Sequence, residues 1–104
     1  MEAIEAFNLG ASYLESKELD KAFVSFAEAI RLDPKYADAY NGRGVVLALM
    51  GQSAKAIVDC CEAIRLEPEN PEFYRSRGYV YEQMGNESEA AADLAKAEQL
   101  EARQ

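Results

Sequence analysis

The sequence contains no histidine and no tryptophan. Without histidine, Ser-His and Cys-His nucleophile pairs and His-ligated metals have no place in this chain. Its carboxylates are scattered along the chain, so no enzyme, no metal, no cofactor and no small-molecule substrate is expected. Basic residues are few, 11 against 19 acidic ones, for a net charge of -8. Binding nucleic acid rests on neutralising phosphates with Lys and Arg, so nucleic acid is excluded as the main partner. An anionic membrane surface is excluded for the same reason. No apolar run approaches the ~20 residues of a membrane-spanning helix. Met1-Glu2-Ala3-Ile4-Glu5 has neither the basic nor the apolar region of a signal peptide. These features predict a cytoplasmic protein. Three prolines and six glycines are too few for a disordered or collagen-like chain. The only cysteines, Cys60 and Cys61, are neighbours. A disulfide between neighbours closes a strained ring and staples nothing remote, so two reduced thiols are expected.

What is present is a period. Gly10, Gly44 and Gly78 stand 34 residues apart. Ala22, Ala56 and Ala90 keep that step, as do Ala29, Ala63 and Ala97, and Leu32, Leu66 and Leu100. Pro34 and Pro68 follow the same register. The 104 residues form one domain, 1–104, divided into units 3–36, 37–70 and 71–104.

Each unit reads as two helices. Tyr40, Arg43, Gly44 and Leu47 recur at helical spacing, and Gly51 ends that helix at a left-handed cap. Ser53 is expected to cap the next helix, whose buried stripe is Ala56, Ile57, Cys60, Ala63 and Ile64. Asn70-Pro71 opens the third unit, and Asn86-x-x-Glu89 reads as the capping box of the last helix. The three glycines are expected to face Ala22, Ala56 and Ala90, letting paired helices approach. Cys60 takes a core position, and Cys61 is more exposed with no basic neighbour evident in the sequence. Tyr36 is expected to staple the turn against the following helix.

These residues resemble the tetratricopeptide repeat (TPR) family, whose 34-residue helix-turn-helix carries W-x2-L-G-x2-Y, then A-x3-F, then P. Here the first part reads Ala6-x2-Leu9-Gly10-x2-Tyr13, Tyr40-x2-Arg43-Gly44-x2-Leu47 and Tyr74-x2-Arg77-Gly78-x2-Tyr81. The second part reads Ala22-x3-Phe26, Ala56-x3-Cys60 and Ala90-x3-Leu94. The resemblance implies an all-α fold, a right-handed α-solenoid of three antiparallel helix pairs, six helices in all. It implies that the first helix of each pair lines a concave groove that binds a peptide or helix of another protein. Arg43 and Arg77 replace the family leucine. They are expected to snorkel, with a pairing to a carboxylate of a neighbouring unit also open. Ala91 and Glu98 stand where earlier units have Phe23 or Ile57 and Ile30 or Ile64, a polar outer face that leaves Leu94 and Leu100 without a successor to cover them.

By this resemblance the groove residues are Ile4, Phe7, Ala11, Leu14, Asn41, Val45, Leu49, Arg75, Tyr79 and Glu82, with Asp38, Ala48 and Glu72 beside them. One subset of the family grips the C-terminal carboxylate of Hsp70 and Hsp90. It needs Lys and Asn in the first unit, Asn in the second, and Lys and Arg in the third. The matching positions here are Phe7, Ala11, Gly42, Glu72 and Ser76, and none can play that part. An apolar or amphipathic peptide or helix is the expected partner, with Arg75 and Asn41 orienting it. The bland reading of Leu14 and Leu49 is packing against neighbouring helices. The alternative function is self-association as a homodimer or helix-exchanged oligomer.

Overall fold

The computed structural model describes all 104 residues and contains six helices and no strand. They are α1 (Ala3–Glu15), α2 (Leu19–Leu32), α3 (Ala37–Leu49), α4 (Ser53–Leu66), α5 (Pro71–Met84) and α6 (Glu87–Glu101). Each odd helix packs on the even helix that follows it, and each even helix packs on the next odd one. In addition α1 touches α3 and α3 touches α5, while α2, α4 and α6 do not touch each other. The stack therefore curves with α1, α3 and α5 on its inner side.

One turn is built three times. The N–H of Lys17 donates to the carbonyl of Leu14, and that of Glu18 to Tyr13. Gly51 and Gln52 repeat the pattern on Ala48 and Leu47, and Gly85 and Asn86 repeat it on Glu82 and Tyr81. This is the Schellman arrangement, and it demands a left-handed residue. Gly51 (φ 81°) and Gly85 (φ 79°) supply it without strain, but the first turn uses Lys17 (φ 63°). The same turn overrides two expected caps. Gln52, held by its bond to Leu47, is the N-cap of α4, one residue before Ser53, and makes no side-chain bond. Asn86 precedes α6 at ψ 75°, away from the extended backbone of a capping residue, and makes none either. Asn70 does cap α5: at ψ 110° its side chain accepts from the Glu72 N–H at 3.0 Å, ahead of Pro71.

The glycines admit close packing, but their opposing surface is not the alanines alone. A Cβ on Gly10 would lie 2.8 Å from the Phe26 ring, and one on Gly42 would lie 2.7 Å from the same ring. Phe26 is thus wedged between α1 and α3 and fully buried. Gly44 faces the Cys60 Sγ and the Ala56 carbonyl, and Gly78 faces Asp93 and Leu94. The alanines let the helix backbones approach. The larger residue one turn later reaches across to the glycine.

Arg43 and Arg77 do not pair across units. Arg43 holds Asp59 on α4 of its own unit through Nε (2.8 Å) and Nη2 (3.0 Å). Arg77 holds Asp93 on α6 in the same way, at 2.8 Å through each nitrogen. Both aspartates are buried, so each pair is a two-pronged strut inside one helix pair. Phe23 and Tyr40 flank Arg43 at 5.9 Å, and Tyr74 and Tyr81 flank Arg77. The first unit has Leu9 and Ser25 at these positions instead. Leu100, expected to lie uncovered, is 2% exposed, because α6 packs its own apolar face against α5.

Candidate functional site

The inner side carries the expected groove residues on three helices. Ile4, Phe7, Ala11 and Leu14 come from α1, Asn41, Val45 and Leu49 from α3, and Arg75, Tyr79 and Glu82 from α5. Their environments differ. Ile4 is 57% exposed, and Leu49 and Tyr79 are each 50% exposed. Phe7, Ala11 and Leu14 are half-buried and pack on the Phe26 cluster. The Phe7 ring lies 5.2 Å from Tyr36 in a stacked pair and 5.6 Å from Phe26. Tyr36 therefore anchors on α1 as well as packing with the cluster that contains Ala39 of the helix that follows it. Leu14 follows the packing reading, and Leu49 does not.

Val45, Arg75 and Tyr79 converge on one cleft of about 290 Å³, completed by Ala48, Glu72, Ser76 and Val80. Ile4 and Glu82 do not line it. The Tyr79 hydroxyl accepts from Gln83 at 3.2 Å. Asn41 sits one turn before Val45, and its Oδ1 is buried with no partner. Arg75 already has partners in the free chain: it donates to Glu72 on its own helix and to Glu101 on α6, both at the surface. The Asp38 carboxyl is pushed up by burial and by the charges of Glu67 and Glu72.

Two features on the outer side were not legible in the sequence. A second cleft, 450 Å³ in volume, is lined by Phe23, Leu47, Met50 and Val58 with Arg43, Gln52, Lys55 and Asp59. It arises because helices α2 and α4 both pack on α3 without touching each other. Cys61 has a basic neighbour after all: Arg77 Nη1 lies 3.4 Å from its Sγ. The two are 16 residues apart, on α4 and α5, beyond any local pattern. Cys60 is buried, and its thiol is pushed up to about 12 by desolvation and then by Asp59.

Comparisons with known proteins agree with this architecture. A family model described as TPR repeat matches residues 10–51, and two described as Tetratricopeptide repeat match 37–70 and 61–103. No curated protein matches the sequence significantly. Among solved structures, MamA is 32% identical with a TM-score of 0.89, over 98% of this chain and 60% of its own. This chain thus spans less than two thirds of MamA. The yeast Sti1 TPR2B domain, solved as a complex with pHsp70, is 26% identical with a TM-score of 0.93, over 97% of this chain and 81% of its own. The first TPR of Spaghetti (RPAP3), bound to an HSP90 peptide, shares the fold at 21% identity and a TM-score of 0.93, over 99% of this chain and 82% of its own. Similar folds include protein-binding modules, and three overlapping matches that together span residues 10–103 leave a single assignment: the chain belongs to the tetratricopeptide repeat family.

Proposed function

We propose that this chain is a non-enzymatic interaction module that binds an apolar or amphipathic peptide or helix of another protein on its inner face. The observation that carries this reading is the row of exposed apolar side chains there. Ile4, Leu49 and Tyr79 are each at least half exposed, on three different helices, and Tyr79 lines the cleft that Val45 completes. Large side chains left in water on one concave face are what an interface residue looks like before its partner arrives. The cleft is of a size to admit one side chain, the usual anchor of such a contact.

A chaperone-tail ligand is disfavoured, although MamA-like and chaperone-binding modules share the fold. The five clamp positions hold Phe7, Ala11, Gly42, Glu72 and Ser76. Phe7 is stacked on Tyr36, Gly42 lies against the Phe26 ring, and Glu72 is acidic. None offers a cation to a carboxylate.

The test is a capture experiment with the wild-type chain and a Phe7→Glu/Tyr79→Glu variant, followed by backbone amide shift mapping with the captured segment. Loss of a partner in the variant, with shifts confined to α1, α3 and α5, is the expected result. Identical partners for both proteins would place binding on another surface.

A further inference from the structure

The charges around this groove define the partner more closely. The three inner helices carry three cations, Arg43, Arg75 and Arg77, and every one is already paired with a carboxylate of this chain, Arg75 at the surface. Arg43 is locked to Asp59, Arg77 to Asp93, and Arg75 to both Glu72 and Glu101. Of the acids on the same helices, only Glu72 is paired. Asp38, Glu15 and Glu82 take part in no ion pair. The apolar row is thus bordered by carboxylates, and none of the three arginines on these helices is unpaired.

Resting on the groove reading above, we propose that the occupant is a basic amphipathic helix, with apolar residues on one face and Lys or Arg on the other. Its apolar face covers Leu49 and Tyr79 and places one side chain in the Val45–Tyr79 cleft. Its cations meet Asp38 and Glu67 at one end of the groove and Glu82 at the other. Charge complementarity selects this partner over an acidic one, because like charges brought together on docking are costly. Asp38 gives independent support. Burial and the neighbouring Glu67 and Glu72 already disfavour its ionised form in the free chain, a penalty that an arriving cation relieves.

The test uses three synthetic peptides and fluorescence anisotropy. Two share one Leu-rich helical face, with Lys and Arg on the polar face of the first and Glu on that of the second. The third has the composition of the first with its apolar residues scattered. We expect the basic amphipathic peptide to bind about tenfold tighter than the acidic one at low salt, with the gap closing as salt rises. Asp38→Asn/Glu67→Gln should narrow that gap, and Tyr79→Asp should weaken both amphipathic peptides. Equal binding of the two, lost in Tyr79→Asp, would overturn the charge assignment and leave the groove in place. Binding untouched by Tyr79→Asp would overturn the groove itself. A scattered peptide that binds as tightly as the amphipathic one would reduce the effect to unspecific attraction and overturn the proposal.

Discussion

Gly42→Ala is the sharpest probe of how this chain holds its first two units together. The added methyl would lie 2.7 Å from Cε1 and Cζ of Phe26, inside any tolerable contact. The ring has little room to retreat, since on its other side even a Cβ on Gly10 would lie only 2.8 Å from it. Overpacking of this kind costs ~1–3 kcal/mol. Against it stands the better helix propensity of alanine, worth ~1 kcal/mol in a helix interior. With the ring held from both sides the cost belongs at the upper end of that range, so the net expectation is a loss of about 1–2 kcal/mol. Gly78→Ala provides the control. Its methyl would meet Asp93 and Leu94 at 3.3 Å, a contact that a small shift relieves, so the propensity gain should leave it near neutral. Urea unfolding followed by circular dichroism measures both. Phe26→Leu should shrink the penalty of Gly42→Ala in a double-mutant cycle, because the two residues share one space. Equal stability of Gly42→Ala and wild type would refute the wedge. So would a Gly78→Ala penalty as large as that of Gly42→Ala.

Three further outcomes follow from single features. Lys17→Gly should raise stability by about 0.5–1 kcal/mol in urea unfolding, because a left-handed non-glycine residue costs roughly 1–2 kcal/mol and glycine loses part of that gain to chain entropy. Arg43→Leu alone should cost ~3–5 kcal/mol by stranding the buried Asp59, whereas Arg43→Leu/Asp59→Ser, the pairing that the first unit makes with Leu9 and Ser25, should recover most of it. A thiol reagent near neutral pH should label Cys61 once per folded chain and Cys60 only in denaturant, since burial holds the Cys60 thiol up to about 12 and out of reach; double labelling of the native protein, read by mass spectrometry, would contradict this.

The helices were legible because the signals that set them are local. A 34-residue recurrence of Gly10, Gly44 and Gly78, with apolar residues at helical spacing between, specifies pairs of helices without reference to distant parts. The struts were not legible to the same degree. Arg43 could be seen to need a partner, but α4 carries two acids, Asp59 and Glu62, and the choice of Asp59 depends on how the pair crosses. Lys17 was hidden for the opposite reason. Its left-handed backbone is dictated by a turn shared with Gly51 and Gly85, while its own residue type signals nothing. The groove stands between these cases. Its positions follow from the period, but Arg75 looks free in the sequence and is paired in the fold, because Glu101 arrives from a helix 26 residues away.

The inter-unit contacts also bear on self-association. Ile30 packs beside Ala39 where the first unit meets the second, and Ile64 packs beside Phe73 where the second meets the third. One step further in the same register, Glu98 would meet Glu5 of another copy. Ala91, in the place of Phe23 and Ile57, would offer only a methyl to that junction. Two like charges and little apolar area oppose a head-to-tail contact, so light scattering should find this chain monomeric as its concentration rises. Glu98→Ile/Glu5→Ala restores the residues of the internal junctions. A head-to-tail contact does not close on itself, so this variant should form open chains whose size grows with concentration. Growth in the wild type would show that the array ends are not what keeps copies apart. A variant that stays monomeric would show that matching the internal register is insufficient to join them.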